Sequence, residues 1–249
     1  MTQKIRIIYE DKDLVVCHKM PCIPVQTAKA GQQDMVSLLR NYFAGKGQDT
    51  QIFIVHRLDQ PVEGVMVFAR NKRAANALSS QFRERKTQKY YLALVEGQFE
   101  ESSGILEDYL LRDAKSNTSR VVTPKTQGAR YARLSYEVKR VSKAEELMNQ
   151  NKDKKQENQS VYLIQSGSGA SLVEIHLETG RHHQIRVQMA HSGHPLLGDK
   201  KYAPNCGQGY VPIGLCAVKI AFMHPITRKD MEFTVKPRGE LFSCGNFGI

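Results

Sequence analysis

Residues 5–20, IRIIYEDKDLVVCHKM, place apolar runs on either side of an acidic stretch at 10–13, the pattern of two short strands joined by a turn. The loop PCIPVQTAKAGQQ follows, and then a helical stretch over 35–43. FIVHRL reads as a strand, 60–63 as a loop and GVMVFAR as an apolar strand. Residues 72–86 read as a helix whose buried side carries Ala74, Ala75, Leu78 and Phe82. KYYLALVEG is a further strand ending at Gly97, and alternation along it puts Tyr91 and Ala93 on one face and Tyr90 on the other.

The middle of the chain is less patterned. Residues 104–125 read as loop-rich and basic, and YARLSYEVKRV resumes strand-like alternation. SKAEELMNQNKDKKQENQS, at about 142–160, has no aromatic or β-branched residue and reads as an exposed polar insertion. Residues 161–178 predict a hairpin with its turn in the Gly/Ser run at 166–171. TGR then opens a short helix, HHQIRVQMAH, and CAVKIAFMH and DMEFTVK supply two more strands. Strands outnumber helices and most connections are short, which predicts an α+β fold: a mixed, largely antiparallel sheet with flanking helices. The 249 residues are read as a single domain, 1–249, carrying the insertion, with no RNA-binding module ahead of the first strand.

Composition narrows the function classes. Hydrophobic residues make up 41% and charged residues 24%, ordinary globular usage, and no run approaches the roughly 18 apolar residues of a membrane helix. The start has neither the basic region nor the apolar block of a signal peptide, so a soluble, cytoplasmic protein without membrane association is expected. Five cysteines without a CxxC pair favour neither a disulfide framework nor a zinc ribbon. A net charge of +11 favours a polyanionic partner through phosphate contacts.

Two stretches carry candidate chemistry. In HRLDQPVEGVMVFAR, Arg57 and Asp59 lie where a strand runs out into a loop, a common place for reactive groups, although an aspartate before a turn is also ordinary turn chemistry. ETGRHHQIRVQMAHSGHPLLGDKKY gathers Arg181, His182, His183, Arg186, His191 and His194 around one short helix, a density of basic groups that suits phosphate. No pair of these histidines has the i, i+4 spacing of HExxH and no further ligand set completes a tetrahedral site, so no metal is expected. His183 and His191 can equally brace the helix. Of the two tyrosines in KYYLALVEG, one is expected in the core and the other is free to stack on a base.

Together these stretches resemble the RluA-type pseudouridine synthase family: YEDKDLVVCHK, HRLD followed by G, V and A, KYYLALVEG, TGRHHQIRVQMAHSGHPLLGDKKY and AFMHP fall in family order from about Ile5 to Val235. The resemblance implies the pseudouridine synthase type of α+β sheet and isomerisation of a flipped-out uridine in RNA, in rRNA or tRNA, without a cofactor. It implies Asp59 as the catalytic carboxylate, Tyr91, between Lys89 and Ala93, as the base-stacking tyrosine, and Arg186 as the partner of the aspartate. Ile185 would pack the pocket, with His56, Arg57, Arg181 and His183 as RNA-binding residues. Burial would raise the aspartate's pKa, whereas a neighbouring arginine would lower it by about 1–3 units. A monomer is expected. A non-catalytic RNA-binding protein that retains the fold is the alternative reading.

The chain departs from the family pattern in three places. The family follows HRLD with two residues and then Thr-Ser-Gly, where this chain has Gln60, Pro61, Val62, Glu63 and Gly64. The usual asparagine-lysine-proline is His18, Lys19 and Met20, and Cys216 stands where histidine is common. These changes bear on substrate choice and leave Asp59, Tyr91 and Arg186 in place.

Overall fold

The computed structural model describes residues 5–29, 31–142, 169–203, 212–243 and 247. The first hairpin is β1 (Arg6–Glu10) and β2 (Leu14–Lys19), followed by helix α1 (Met35–Ala44). Next come β3 (Phe53–Ile54), β4 (Glu63–Ala69), α2 (Lys72–Arg83) and β5 (Gln88–Glu96). A run of long strands follows: β6 (Ser103–Asp113), β7 (Thr118–Val122), β8 (Arg130–Ser142) and β9 (Ala170–Leu177). Helix α3 (Gln184–His191), β10 (Leu215–Met223), β11 (Asp230–Thr234) and α4 (Glu240–Ser243) complete the described elements. The fold is α+β with a mostly antiparallel sheet, as the patterning predicts.

The chain divides into two compact units: residues Met1–Lys89 with Ala217–Pro237, and residues Tyr90–Cys216 with Arg238–Ile249. In the first, the strand order is β1-β2-β4-β10, with β3 paired to β4 and β11 to β10. Its core combines Leu14, Val16, Val65, Val67, Ala69, Ile220 and Phe222 of the strands with Ala74 and Leu78 of α2. Ala75 and Phe82 pack at the edge of that cluster, so the expected buried side of α2 is the observed one. Asn71 caps the helix by accepting from the Ala74 N–H at 2.9 Å.

One latch in this unit was not foreseen from the sequence. Asp11 accepts the backbone N–H groups of Asp13 and Leu14 at 2.7 and 2.8 Å, closing the β1–β2 turn. Its other oxygen faces His224 Nε2 at 2.9 Å, while His224 Nδ1 accepts the N–H groups of Ile226 and Thr227. Nδ1 is thus an acceptor and Nε2 the donor, so a ring of the AFMHP motif ties the turn after β10 to the first hairpin. Asp11, Asp13 and His224 lie close enough to hold a cation, but these hydrogen bonds already account for the Asp11 carboxylate.

In the second unit the order is β5-β9-β8-β6-β7. Helix α3 lies on this sheet, with Val187 packed among Leu110 and Ala132. Residues 104–125, expected to be loop-rich, are instead mostly the β6–β7 hairpin, in register from Tyr109↔Val122 to Asp113↔Thr118. The polar insertion, apart from Ser142 at the end of β8, and the first half of the expected 161–178 hairpin lie outside the described residues. Among the described residues, no helix is long and apolar enough to cross a membrane.

Candidate active site

His56, Arg57 and Asp59 belong to the first unit. The sequence pattern extends a strand through FIVHRL, but only Phe53 and Ile54 pair, with Ala69 and Phe68. At the next step the Val67 N–H goes to the His56 ring, at 3.0 Å from Nε2, in place of a backbone carbonyl. That substitution ends β3 and releases the chain into the loop that carries Asp59. The ring also stacks on Phe82, with centroids 4.6 Å apart. Burial, aided by the Lys89 ammonium, pushes the His56 pKa down to about 3, which keeps Nε2 an acceptor at neutral pH. His56 therefore braces the junction. Beyond it Arg57 is exposed, Leu58 buried and Asp59 half-buried.

Residues 59–62 form a turn in which the Val62 N–H donates to the Asp59 carbonyl at 3.0 Å. Lys19, fully buried, reaches under it and donates to the carbonyls of Val62 (2.6 Å), Gln60 (2.9 Å) and Met20 (3.2 Å). Three N–H bonds of one ammonium thus meet three carbonyls. Burial pushes the Lys19 pKa down to about 7, against the opposing influence of Cys22, Asp59 and Glu63. Gly64, next along, has φ +142°, and a Cβ there would lie 2.5 Å from the backbone of Ala217. Only glycine fits, which accounts for the glycine that follows HRLD.

Tyr91, Arg181, His183, Ile185 and Arg186 belong to the second unit. Tyr91 is buried on β5 opposite Ile175, whereas Tyr90 stacks on His176 at 4.7 Å. The two tyrosines thus have the distinct environments expected from strand alternation.

Helix α3 is buried along Gln184 to Met189, so its polar side chains must find partners inside the protein. Gln184 Oε1 accepts from the Thr179 hydroxyl (2.8 Å) and the Arg181 N–H (3.0 Å), and its amide donates to Arg133 O and Gln188 Oε1. This network folds the TGR turn against the helix start. His183 enters the helix in the left-handed conformation, φ 54°, without a side-chain cap. Its Nδ1 meets the Tyr202 hydroxyl at 2.8 Å, and that hydroxyl accepts the Ser119 N–H at 2.7 Å. Tyr202 thus links the His183 ring to the backbone of β7. Burial and then Arg186 and His182 hold the His183 pKa down to about 3. Arg181 Nε donates to Tyr131 O, and Ile185 is 4% exposed.

Arg186 is the centre of this cluster. Its Nε and one terminal nitrogen each donate to Asp199 at 2.7 Å, a bidentate pair with side chains 6% and 0% exposed. The guanidinium lies 5.3 Å from the Tyr202 ring centroid. Asp199 and Tyr202 were not singled out by residue type, although both lie in the GDKKY run quoted above. Chemically, the first unit presents a half-buried carboxylate on a tethered turn, and the second, by itself, a buried tyrosine and a buried, oriented arginine.

The family model described as RNA pseudouridylate synthase matches residues 13–191, most of the chain and every expected site residue. The chain belongs to the RNA pseudouridylate synthase family. The RluA-type resemblance read from the motifs is borne out by its relatives. It is 33% identical over 183 residues to the dual-specificity RNA pseudouridine synthase RluA of Pasteurella multocida (strain Pm70), covering 73% of this chain and 72% of that protein. It is 31% identical over 225 residues to the uncharacterized RNA pseudouridine synthase YhcT of Bacillus subtilis (strain 168), covering 89% of this chain. The chain spans 65% of the length of that relative. Among solved structures, human RNA pseudouridylate synthase domain containing 1 has the same fold, with a TM-score of 0.72 at 23% identity over 97% of this chain and 87% of that one.

Proposed function

We propose that this protein isomerises specific uridines to pseudouridine in RNA, with Asp59 as the catalytic carboxylate. The observation that supports the reading is the family match over residues 13–191, a span that includes Asp59, Tyr91 and Arg186, whose roles are those that the motif resemblance implies. The reaction breaks the bond between uracil N1 and the ribose, turns the base and rebuilds the link through C5, with no net oxidation and no group lost. It needs a carboxylate to act at the sugar or the base, and a route for the C5 proton. Asp59 supplies the first. The Lys19 tether fixes the backbone on which it sits.

A base inside a helix is out of reach, so the target uridine is extruded at the expense of a few kcal/mol of stacking. Tyr91 stacking returns about 1–3 kcal/mol of that. Arg186, held flat by Asp199, is oriented before substrate arrives and acts as the cationic partner of Asp59, while Ile185 packs the pocket. Arg57 and Arg181 contact phosphates. His56 and His183 serve RNA binding indirectly, as braces of the two segments that carry Asp59 and Arg186. No metal or cofactor enters the scheme. The protein acts as a monomer in the cytoplasm on ribosomal or transfer RNA.

Mapping pseudouridines in RNA from cells with and without the gene tests this reading. Loss of one or more sites in rRNA or tRNA is expected, and identical maps would oppose it. Tight RNA binding by the purified protein with no isomerisation of the same RNA would favour the alternative, a non-catalytic binder that retains the fold.

A further inference from the structure

Two of the chain's departures from the family pattern touch each other. His18 stands at the asparagine position before Lys19, and Glu63 lies in the altered segment after HRLD. His18 Nε2 and Glu63 Oε1 are 2.8 Å apart, with side chains 0% and 3% exposed. The register explains the meeting. His18 lies opposite Val65 on β4, and Glu63, two residues before Val65, shares its face, so the pair is a diagonal cross-strand contact. Lys19, the next residue on β2, turns to the opposite face and holds the carbonyls of Gln60 and Val62. The turn that begins at Asp59 is therefore gripped on both faces of the sheet: through its backbone by Lys19, and through the residue at its end by His18.

Placement of this pair is not explained by core packing. Its neighbours Val65 and Val67 fill the core with apolar side chains, and a carboxylate at Glu63 is costly to bury without a directed donor. The 2.8 Å hydrogen bond between the His18 ring and the carboxyl fixes where the Glu63 side chain can lie. Since Glu63 directly follows the 59–62 turn, its position sets where the turn closes.

We propose that His18 and Glu63 are a coupled pair of positioning residues, which hold the 59–62 turn so that the Asp59 carboxylate is presented to the reacting nucleotide without themselves touching RNA. This inference rests on the isomerase reading above.

The test uses the full chain and the variants His18→Leu, Glu63→Leu and the double variant. The readouts are melting temperature, amide hydrogen exchange at Val62, and tritium release from [5-³H]uridine-labelled total RNA of cells lacking the gene. Either single variant removes one side of a buried hydrogen bond and lowers the melting temperature, whereas the double variant replaces the pair by apolar side chains and regains it. The expected signature of positioning lies in the double variant: kcat falls tenfold or more with KM within twofold of wild type, and the Val62 amide exchanges tenfold or more faster while the paired β2 and β4 amides are unchanged. A double variant with kcat and Val62 exchange within twofold of wild type overturns the proposal and leaves the pair a purely structural contact.

If the double variant does not fold, Glu63→Asp carries the test. It keeps the charge and withdraws the carboxylate by one methylene, so the same tenfold losses are expected, and values within twofold overturn the proposal. Wild-type protein that releases no tritium from this RNA opposes the isomerase reading instead. The Val62 exchange then still decides whether the pair holds the turn.

Discussion

Arg186 and Asp199, thirteen residues apart, meet as a two-bond ion pair with both contacts at 2.7 Å and neither side chain open to solvent. A single carboxylate thereby fixes the plane and rotation of the guanidinium, which a point contact would leave free. Asp199→Asn removes the countercharge and leaves the arginine buried. The expected loss is about 3–5 kcal/mol of stability, read by denaturant unfolding, with catalysis reduced further than RNA affinity under conditions where the variant is folded. A variant as stable as wild type would show that the pair does not hold Arg186.

The Lys19 tether carries a pH dependence. Its folded-state pKa is about 7, against 10.5 for a free lysine, so between these values the unfolded chain binds the additional proton. Unfolding free energy therefore rises with pH across that window, by up to about 1.4 kcal/mol per unit. The contribution is complete above the unfolded value and lost as pH falls toward 7. Lys19→Met removes this slope. Unfolding curves of wild type and variant between pH 7 and 10 should converge or cross, and parallel pH profiles would show that Lys19 titrates normally.

Gly64→Ala tests the close approach after the turn. The added Cβ meets Ala217 backbone at 2.5 Å and the backbone conformation is unfavourable for any side chain. A loss of about 3 kcal/mol or more is expected, measured by thermal or chemical unfolding. A change below about 0.5 kcal/mol, the range of ordinary surface substitutions, would contradict the geometry.

What could be read from the sequence followed physical lines. Strands buried on both faces, such as β2 and β4, stand out as near-continuous apolar runs, and the amphipathic α2 stands out because one-sided burial imposes a period on it. The β6–β7 hairpin does not, since every residue of β6 except Leu110 is exposed or only partly buried and its apolar positions follow no sustained alternation. FIVHRL was read too long because a side chain, His56, takes over a backbone acceptor, and no periodicity reports that exchange. Helix α3 has no polar face to detect, being buried along Gln184 to Met189.

For the candidate site, motif positions carry the expectation at Asp59, Tyr91 and Arg186. The site was illegible where side chains meet across the fold. Arg186 with Asp199, His183 with Tyr202 and His18 with Glu63 are each contacts between residues that the sequence leaves unrelated. The last pair also changes the meaning of the departures after HRLD. Read singly, Glu63 is an added negative charge near the RNA. Paired with His18, it is an internal tether.

The central claim is that Asp59 is the catalytic carboxylate of an RNA isomerase. Its most direct test compares wild type with Asp59→Asn for tritium release from [5-³H]uridine-labelled total RNA of cells lacking the gene, alongside RNA binding. The account predicts release by wild type and none above background by Asp59→Asn, with RNA affinity within about threefold, since the change removes a charge but no shape. Sustained turnover by pure Asp59→Asn would contradict it.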